Sequence, residues 1–191
     1  YVVMEDLALE SYGNRVPQFS FEVIRGEQPG SDFHDDDPEH AARAVALIPG
    51  TGEYALATTP VYLKTEFGER RVANLNAVST VTDMAYTAEA LEGELPGCKS
   101  VSMVVCWFGD DLRCGECRLQ PKVEQQEMDG EGMPWSVSGL GRYDADLIAR
   151  VDDRPVYGGT PSDQAVVEGI RHLRDQGQEV MFYPFILMDQ M

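Results

Sequence analysis

The sequence predicts an α/β protein in which a β-rich N-terminal segment precedes one βαβ unit. Apolar residues run without polar alternation over residues 100–107 and again over residues 180–187, and an amphipathic helix pattern lies between them at residues 161–176. Unbroken apolar runs are typical of strands buried on both faces of a parallel sheet. Because crossovers between such strands are right-handed, the two runs are expected to be parallel neighbours.

Residues 1–28 are expected to form the β-rich segment. Two strand-like runs, 2–9 and 18–24, flank a turn at Gly13-Asn14. The second run alternates between apolar and polar residues, as a strand with one packed face does. Residues 1–28 are therefore predicted to be one region of the chain.

Residues 29–81 are expected to be a connecting region with a short helix. The acidic run Asp35, Asp36, Asp37 beside His34 is interpreted as solvated rather than as a cation site, with Asp37 capping a helix from Pro38 to about residue 47. Residues 61–67 are a weak strand candidate.

Residues 82–191 carry the strongest patterns. A helix over 82–95 has an apolar face, and Pro96-Gly97 ends it. Residues 108–159 are long for a βα connection, so they are expected to carry structure of their own. Thr160 begins a capping box for the next helix, which ends at Gly177. The expected packing face of that helix is Val166, Val167, Ile170 and Leu173, and Pro184 is awkward inside the last strand.

The overall charge restricts the classes of function. The 191 residues include 33 acids and 15 bases, giving a net charge of −18. Such a chain repels phosphate backbones, which argues against a sequence-specific nucleic-acid reader. No run approaches the ~20 apolar residues of a membrane span, and no signal-peptide pattern opens the chain. The first residue is not Met, so the chain is expected to be a fragment of a longer polypeptide.

The four cysteines are Cys98, Cys106, Cys114 and Cys117. Cys98 and Cys106 bracket one strand and are expected to lie roughly 26 Å apart, too far for a disulfide. A zinc site would need two ligands beyond the single C-x-x-C, so no metal and no other cofactor is predicted. A local disulfide among Cys106, Cys114 and Cys117 and free thiols remain equal alternatives.

Four carboxylates follow the two predicted strands. Asp110, Asp111 and Glu116 come after the first, and Asp189 comes after the second. Ligand sites of parallel α/β folds lie at the carboxyl ends of strands, and carboxylate pairs are the working groups of glycosidases. The competing interpretation is a tight loop in which Asp110 and Asp111 accept hydrogen bonds from backbone and arginine donors, with Arg113, Arg118 and Arg142 available. That second interpretation is favoured.

Several long segments resemble one family. LPGCKSVSMVVCWFGDDLRCGECR, RPVYGGTPSD and VMFYPFILMD are similar to the TIM-barrel-like, glycoside-hydrolase-related domain of the large tail-tip "megatron" protein of gene transfer agents and related siphophages. YGNRVPQFSFEV is similar to the end of the hub domain that precedes this barrel. The resemblance implies the end of a hub domain at 1–28, a connecting region at 29–81 and the start of a TIM-barrel-like domain at 82–191.

The same resemblance implies a location and partners. A family member is a homotrimeric component of the virion tail tip or baseplate. It adjoins the distal tail and hub proteins and the end of the tape-measure protein, and it takes part in host attachment and DNA delivery. The expected function is therefore structural, and the alternative is a glycoside hydrolase acting on a cell-wall or surface glycan.

The chain is shorter than a complete barrel. A (β/α)₈ barrel takes about 250 residues, and only its first βαβ unit is expected here. The resemblance provides no catalytic residue, because the acids of many such glycosidases lie on later strands. Asp110, Asp111, Glu116 and Asp189 are thus weak candidates, and fold likeness alone does not establish activity.

Overall fold

The structure, a computed structural model, describes residues 38–50, 52–64, 68–77 and 80–188, which belong to one unit, Asp35–Met191. The predictions for residues 1–28, for Asp35, Asp36 and Asp37, and for Asp189 lie outside the described residues. In chain order the described elements are α1 (Pro38–Ala41), β1 (Ala44–Leu47), β2 (Tyr62–Lys64), β3 (Arg70–Val72), α2 (Asp83–Glu94), β4 (Ser100–Gly109), β5 (Leu119–Gln120), β6 (Lys122–Val123), β7 (Asp129–Glu131), β8 (Ser136–Val137), β9 (Leu140–Gly141), β10 (Asp146–Leu147), β11 (Arg150–Val151), β12 (Arg154–Pro155), α3 (Asp163–Asp175) and β13 (Glu179–Met188).

A parallel sheet with the order β1-β4-β13 forms the centre of this mixed α/β fold, and β5 adds a short antiparallel pairing at the end of β4. The register of β4 and β13 runs from Ser100 opposite Glu179 to Gly109 opposite Met188. The predicted βαβ arrangement is confirmed: α3 connects the two apolar strands, and they lie side by side in the same direction. Pro184 is accommodated because β13 has a strand neighbour on one side only among the described residues.

Both longer helices pack over the same face of the sheet. Val101, Met103 and Val105 alternate along β4 and are buried. They share one apolar cluster with buried residues of α2 and α3, and the two helices also contact each other. The cluster members from the helices are Met84, Ala88, Ala165, Val166 and Leu173.

The starts of the two longer helices lie close to the predicted ones, with one correction at the cap of α3. Thr82 caps α2 through its side-chain oxygen, which accepts the Ala85 N–H. The cap of α3 is Ser162 instead of the predicted Thr160. Thr160 is buried and its groups are used elsewhere, since its hydroxyl accepts the Lys122 N–H and its carbonyl accepts the Trp135 indole N–H. Val167, expected in the packing face, is 41% exposed.

The predicted helix from Pro38 to residue 47 is wrong in its second half. Helix α1 ends at Ala41, and Ala44–Leu47 is the edge strand β1, which pairs with β4. Val45 and Leu47 are half-buried while Ala44 and Ala46 are exposed, which is the period of a strand. The helix propensity of alanine is a weak preference, and pairing with the edge of β4 overrides it.

Residues 110–159 carry structure of their own, as expected. Short strands fold them into hairpins and small sheets: β8 pairs with β9, β11 pairs with β12, and β7 joins β2 and β3. Buried side chains from this insertion, among them Met133, Trp135 and Val137, belong to the same apolar cluster as the helices. The insertion is therefore part of the core and not a detached loop.

The outer strand of the sheet leaves large apolar side chains exposed. In β13, Met181, Phe182, Tyr183, Phe185 and Ile186 are 38–55% exposed, and they lie on both faces of the strand. Among the described residues, every helix falls short of the length and apolar character that a membrane crossing requires.

Candidate functional site

The loop after β4 holds two of the predicted acids against arginines. Asp110 accepts the backbone N–H of Arg118 at 2.7 Å and its Nε–H at 2.9 Å. Asp111 accepts the backbone N–H of Arg113 at 2.8 Å and its Nη2–H at 2.6 Å. Each carboxylate therefore pairs with its own arginine within the same loop.

These hydrogen bonds favour the charged form of both acids. The backbone and side-chain N–H groups of Arg118 lower the pKa of Asp110 below its usual value. The side chain and then the backbone N–H of Arg113 do the same for the pKa of Asp111. A glycosidase general acid needs a raised pKa, so neither carboxyl suits that role. Glu116 lies on the exposed side of the loop, and Asp189 lies outside the described residues.

A cleft of about 200 Å³ lies at the carboxyl end of β1, on the sheet face opposite the helices. Cys106 forms part of its wall, and the Cys106 thiol donates to the Gly159 carbonyl at 3.4 Å. Burial, with a contribution from nearby Glu124 and Glu53, raises the pKa of Cys106 to about 11, so the thiol is protonated at neutral pH. The other lining residues are almost all apolar or glycine: Ile48, Pro49, Gly50, Gly52, Val104, Tyr157, Gly158, Pro161, Phe185 and Leu187.

The strongest electrostatic feature is a buried cluster around Arg142, which is 1% exposed. Its Nη2–H donates to Glu53 Oε2 at 2.6 Å and to the Tyr54 hydroxyl at 3.2 Å. Its Nε–H donates to Asp129 Oδ1 at 3.0 Å, and its Nη1–H donates to the Gln125 carbonyl at 2.9 Å. We call Glu53, Tyr54, Asp129 and Arg142 the ionic cluster.

The pKa values within the ionic cluster show how it is held. Burial raises the pKa of Glu53, and the Arg142 guanidinium opposes this shift. Burial also disfavours the charged form of Asp129, but donors from Trp135 N–H, Arg142, Gly130 N–H and the Tyr54 hydroxyl together hold its pKa below the usual range. Burial disfavours the guanidinium of Arg142, yet its bonds to Glu53 raise its pKa overall. Arg142 is therefore charged at every physiological pH.

The ionic cluster also supports the wall of the cleft. Glu53 Oε1 accepts the Glu124 N–H at 2.8 Å, and Glu124 Oε1 accepts the Gly159 N–H at 3.1 Å. Gly159 fits only because it has no side chain, since a Cβ there would lie 2.6 Å from Glu53 Oε1. This chain of hydrogen bonds fixes the backbone that accepts the Cys106 thiol.

Sequence reasoning missed most of this cluster. Arg142 was expected among the partners of Asp110 and Asp111, and it lies instead in the interior with Glu53 and Asp129. One local pattern could have indicated a buried acid: Glu53 immediately precedes the apolar stretch Tyr54–Ala57. All residues of that stretch except Ala55 are buried. Nothing in the sequence near Asp129 distinguishes it from the many solvated acids.

All four cysteines are free thiols, including the three disulfide candidates Cys106, Cys114 and Cys117. Cys98 is buried, Cys106 and Cys117 are half-buried, and Cys114 is exposed. In the part of the chain that the structure describes, no group of three or more His, Cys, Asp or Glu is arranged to hold a metal ion.

No family model matches this chain, and no curated protein matches it.

Proposed function

We propose that this chain is a structural component of a phage-like tail tip, built on the start of a TIM-barrel-like domain, and that it serves host attachment and DNA delivery. The observation that supports the proposal is that the acidic side chains near the sheet form ion pairs within the protein. Asp110, Asp111, Glu53 and Asp129 are each paired with an arginine. Groups used in this way hold a framework together and are poorly suited to transferring protons to a substrate.

The sheet order supports the barrel part of the proposal. The strands β1, β4 and β13 are adjacent in the order in which they occur in the chain, all parallel, and α2 and α3 share one face. A (β/α)₈ barrel has this sequential order with its helices outside, whereas a doubly wound sheet has helices on both faces. Under this proposal the face with Val104 and Cys106 corresponds to the barrel interior.

The outer edge of β13 supports a role in an assembly. Aromatic and aliphatic side chains are exposed along a ten-residue strand whose second edge has no partner among the described residues. Soluble proteins rarely leave such an edge open, because it pairs readily with other strands. Burial within a trimer, or against hub and distal tail proteins, would cover it.

The test of location uses immunogold labelling of purified particles. The hairpin β11–β12 turns at Asp152 and Asp153, both exposed, and such tips tolerate insertions. Particles carrying the chain with a short epitope inserted between these residues are labelled with antibody and viewed by negative-stain electron microscopy. We expect gold at the distal end of the tail, and none on particles with the untagged chain. A chain that purifies away from all tails contradicts the proposal.

The hydrolase alternative is tested with purified chain on cell-wall and surface glycans. We expect no glycan release from the wild type above the level of a buffer control. Release that is lost in Asp111→Asn and Glu116→Gln, and kept in the exposed control Glu131→Gln, would overturn the structural assignment.

A further inference from the structure

Cys114 and Cys117 lie on one exposed turn at the carboxyl end of β4. The carbonyl of Arg113 accepts the Glu116 N–H at 2.9 Å and the Cys117 N–H at 3.0 Å, which is the pattern of a single helical turn. Residues three apart in such a turn have Cβ atoms roughly 5–6 Å apart and face the same side. We therefore expect the two cysteines to lie on the same side of this turn, where Cys114 is exposed and Cys117 is half-buried.

Both ends of this turn are anchored. Asp111 binds the side chain and backbone of Arg113 immediately before Cys114, and Asp110 binds the side chain and backbone of Arg118 immediately after Cys117. Asp110 and Asp111 directly follow the end of β4, so their bonds to Arg118 and Arg113 connect both ends of the turn to the same point of the chain. These bonds fix both ends of the turn that carries Cys114 and Cys117.

The Cβ spacing expected for residues three apart in such a turn is close to that of a disulfide. A disulfide needs Cβ atoms about 3.5–4.5 Å apart, so closure needs a movement of only about 1–2 Å. Gly115 lies between the cysteines, and a Cβ there would meet nothing within 4 Å. Glycine backbone in open space can supply that movement at little cost.

The other two thiols are held elsewhere. Cys98 is 1% exposed and donates to the Ser100 carbonyl. Cys106 is half-buried in the cleft, where its thiol donates to the Gly159 carbonyl. Neither belongs to the turn that carries Cys114 and Cys117.

We propose that Cys114 and Cys117 form a reversible dithiol–disulfide pair, oxidised by small disulfides such as that of glutathione. The exposed Cys114 thiolate attacks the small disulfide, forming a mixed disulfide and releasing one small thiolate, which takes up a proton. The Cys117 thiolate then attacks the sulfur of Cys114, and the second small thiol leaves. In total, two protein thiols are oxidised to one disulfide while one small disulfide is reduced to two thiols.

Oxidation has a structural consequence at the end of the sheet. Cys117 Sγ lies 2.8 Å from the position that a Cβ on Gly109 would occupy, and Met188 Sδ lies 3.2 Å from the same position. Drawing Cys117 toward Cys114 therefore withdraws a sulfur from the last residues of β4 and β13. The pair thus couples the redox state of the surroundings to the packing of the carboxyl-end loop.

The test is a redox titration of the full chain with oxidised and reduced glutathione. Samples are quenched in acid, alkylated under native or denaturing conditions, and mapped by mass spectrometry. We expect the peptide with Cys114 and Cys117 to lose two hydrogen atoms, while Cys98 and Cys106 remain alkylatable after denaturation. Cys114→Ser should abolish the change, and Cys106→Ser should leave it intact.

The Cys117→Ser variant separates an internal disulfide from simple glutathionylation. Without the resolving thiol, Cys114 should keep its glutathione adduct, at a level at least about tenfold above wild type, because the internal attack acts at high effective concentration. Equal adduct levels in both proteins, a link to Cys106, or thiols that stay reduced in oxidised glutathione alone would each overturn the proposal.

Discussion

Arg142 joins Glu53, which is far away in the sequence, to the nearby stretch of residues 125–129. Its guanidinium reaches Glu53 after β1, Asp129 in β7 and the Gln125 carbonyl, and its side chain is 0% exposed. It also lies 5.9 Å from the ring centroids of Tyr54 and Trp135. Such a fully bonded buried cation is costly to remove, because its carboxylate partners stay behind without compensation.

Replacing Arg142 by Met should therefore lower the free energy of unfolding by about 3–5 kcal/mol. The methionine fills part of the space but leaves Glu53 and Asp129 without their cation. Urea unfolding followed by tryptophan fluorescence measures the change, since Trp135 lies in the same core.

Arg70→Met is the matched control. Arg70 pairs with Glu131 at 2.6 Å and lies over the Tyr62 ring, but both charged side chains are about half exposed. An exposed pair contributes little, so this variant should lose only about 1 kcal/mol. Equal losses in the two variants would contradict the role assigned to the ionic cluster.

Two helix glycines show how differently the elements are packed. Gly93 lies in the exposed part of α2 with nothing near its missing Cβ. Gly169 lies in α3 against the core, where a Cβ would be 3.0 Å from the Leu56 carbonyl oxygen and 3.6 Å from Met103 Sδ. The close packing of α3 against Leu56 and Met103 thus depends on the absence of a side chain at Gly169.

Gly93→Ala should raise the free energy of unfolding by about 0.5–1 kcal/mol, because alanine loses less backbone entropy in a helix. Gly169→Ala should lower it by about 1–3 kcal/mol, because the methyl group overfills the contact with Leu56. Thermal or urea unfolding of both variants and the wild type measures these changes in the free energy of unfolding. Stabilisation by both substitutions would mean that α3 can move away from Leu56 freely.

The sequence predicted those elements whose signals are local. Helix α2 follows from an apolar stripe and a Pro-Gly stop, and strands β4 and β13 follow from long apolar runs. Strand β1 was mistaken for helix because four residues of Ala, Val, Ala and Leu carry little pattern, and their state is set by the neighbouring edge of β4.

The candidate site was predictable only where partners are close in the chain. Asp110 binds an arginine eight residues away and Asp111 binds one two residues away, and the tight-loop interpretation predicted such pairs. Glu53 and Arg142 are 89 residues apart, and folding alone brings them together. The two-residue strands of the insertion could not be predicted either, because their conformation is set by tertiary packing and not by a local sequence pattern.

At the scale of the whole molecule, the described part of the sheet has one strand with neighbours on both sides and two border strands. Strand β4 lies between β1 and β13, whereas β1 is only four residues long and β13 is paired along one side within the described ranges. In a parallel sheet alternate residues of a border strand direct their backbone groups outward. The centre of the sheet is therefore expected to be far more stable to local opening than its rim.

Hydrogen exchange measured by mass spectrometry checks this arrangement. Peptides from β4 should exchange last, close to the rate of global unfolding, while peptides from β13 should show a fast population for the outward-facing amides. If β13 is protected as strongly as β4 in the isolated chain, then its outer edge is covered in solution.

The 89-residue separation of Glu53 and Arg142 also sets an order of events during synthesis. When Glu53 leaves the ribosome, its cation has not yet been made, and translation at about 5–20 residues per second leaves a gap on the order of 5–20 s. During that interval the carboxylate of Glu53 stays hydrated, because Arg142 has not yet been synthesised. The early part of this unit is thus committed to late folding, and a chaperone at the exit tunnel has time to bind it.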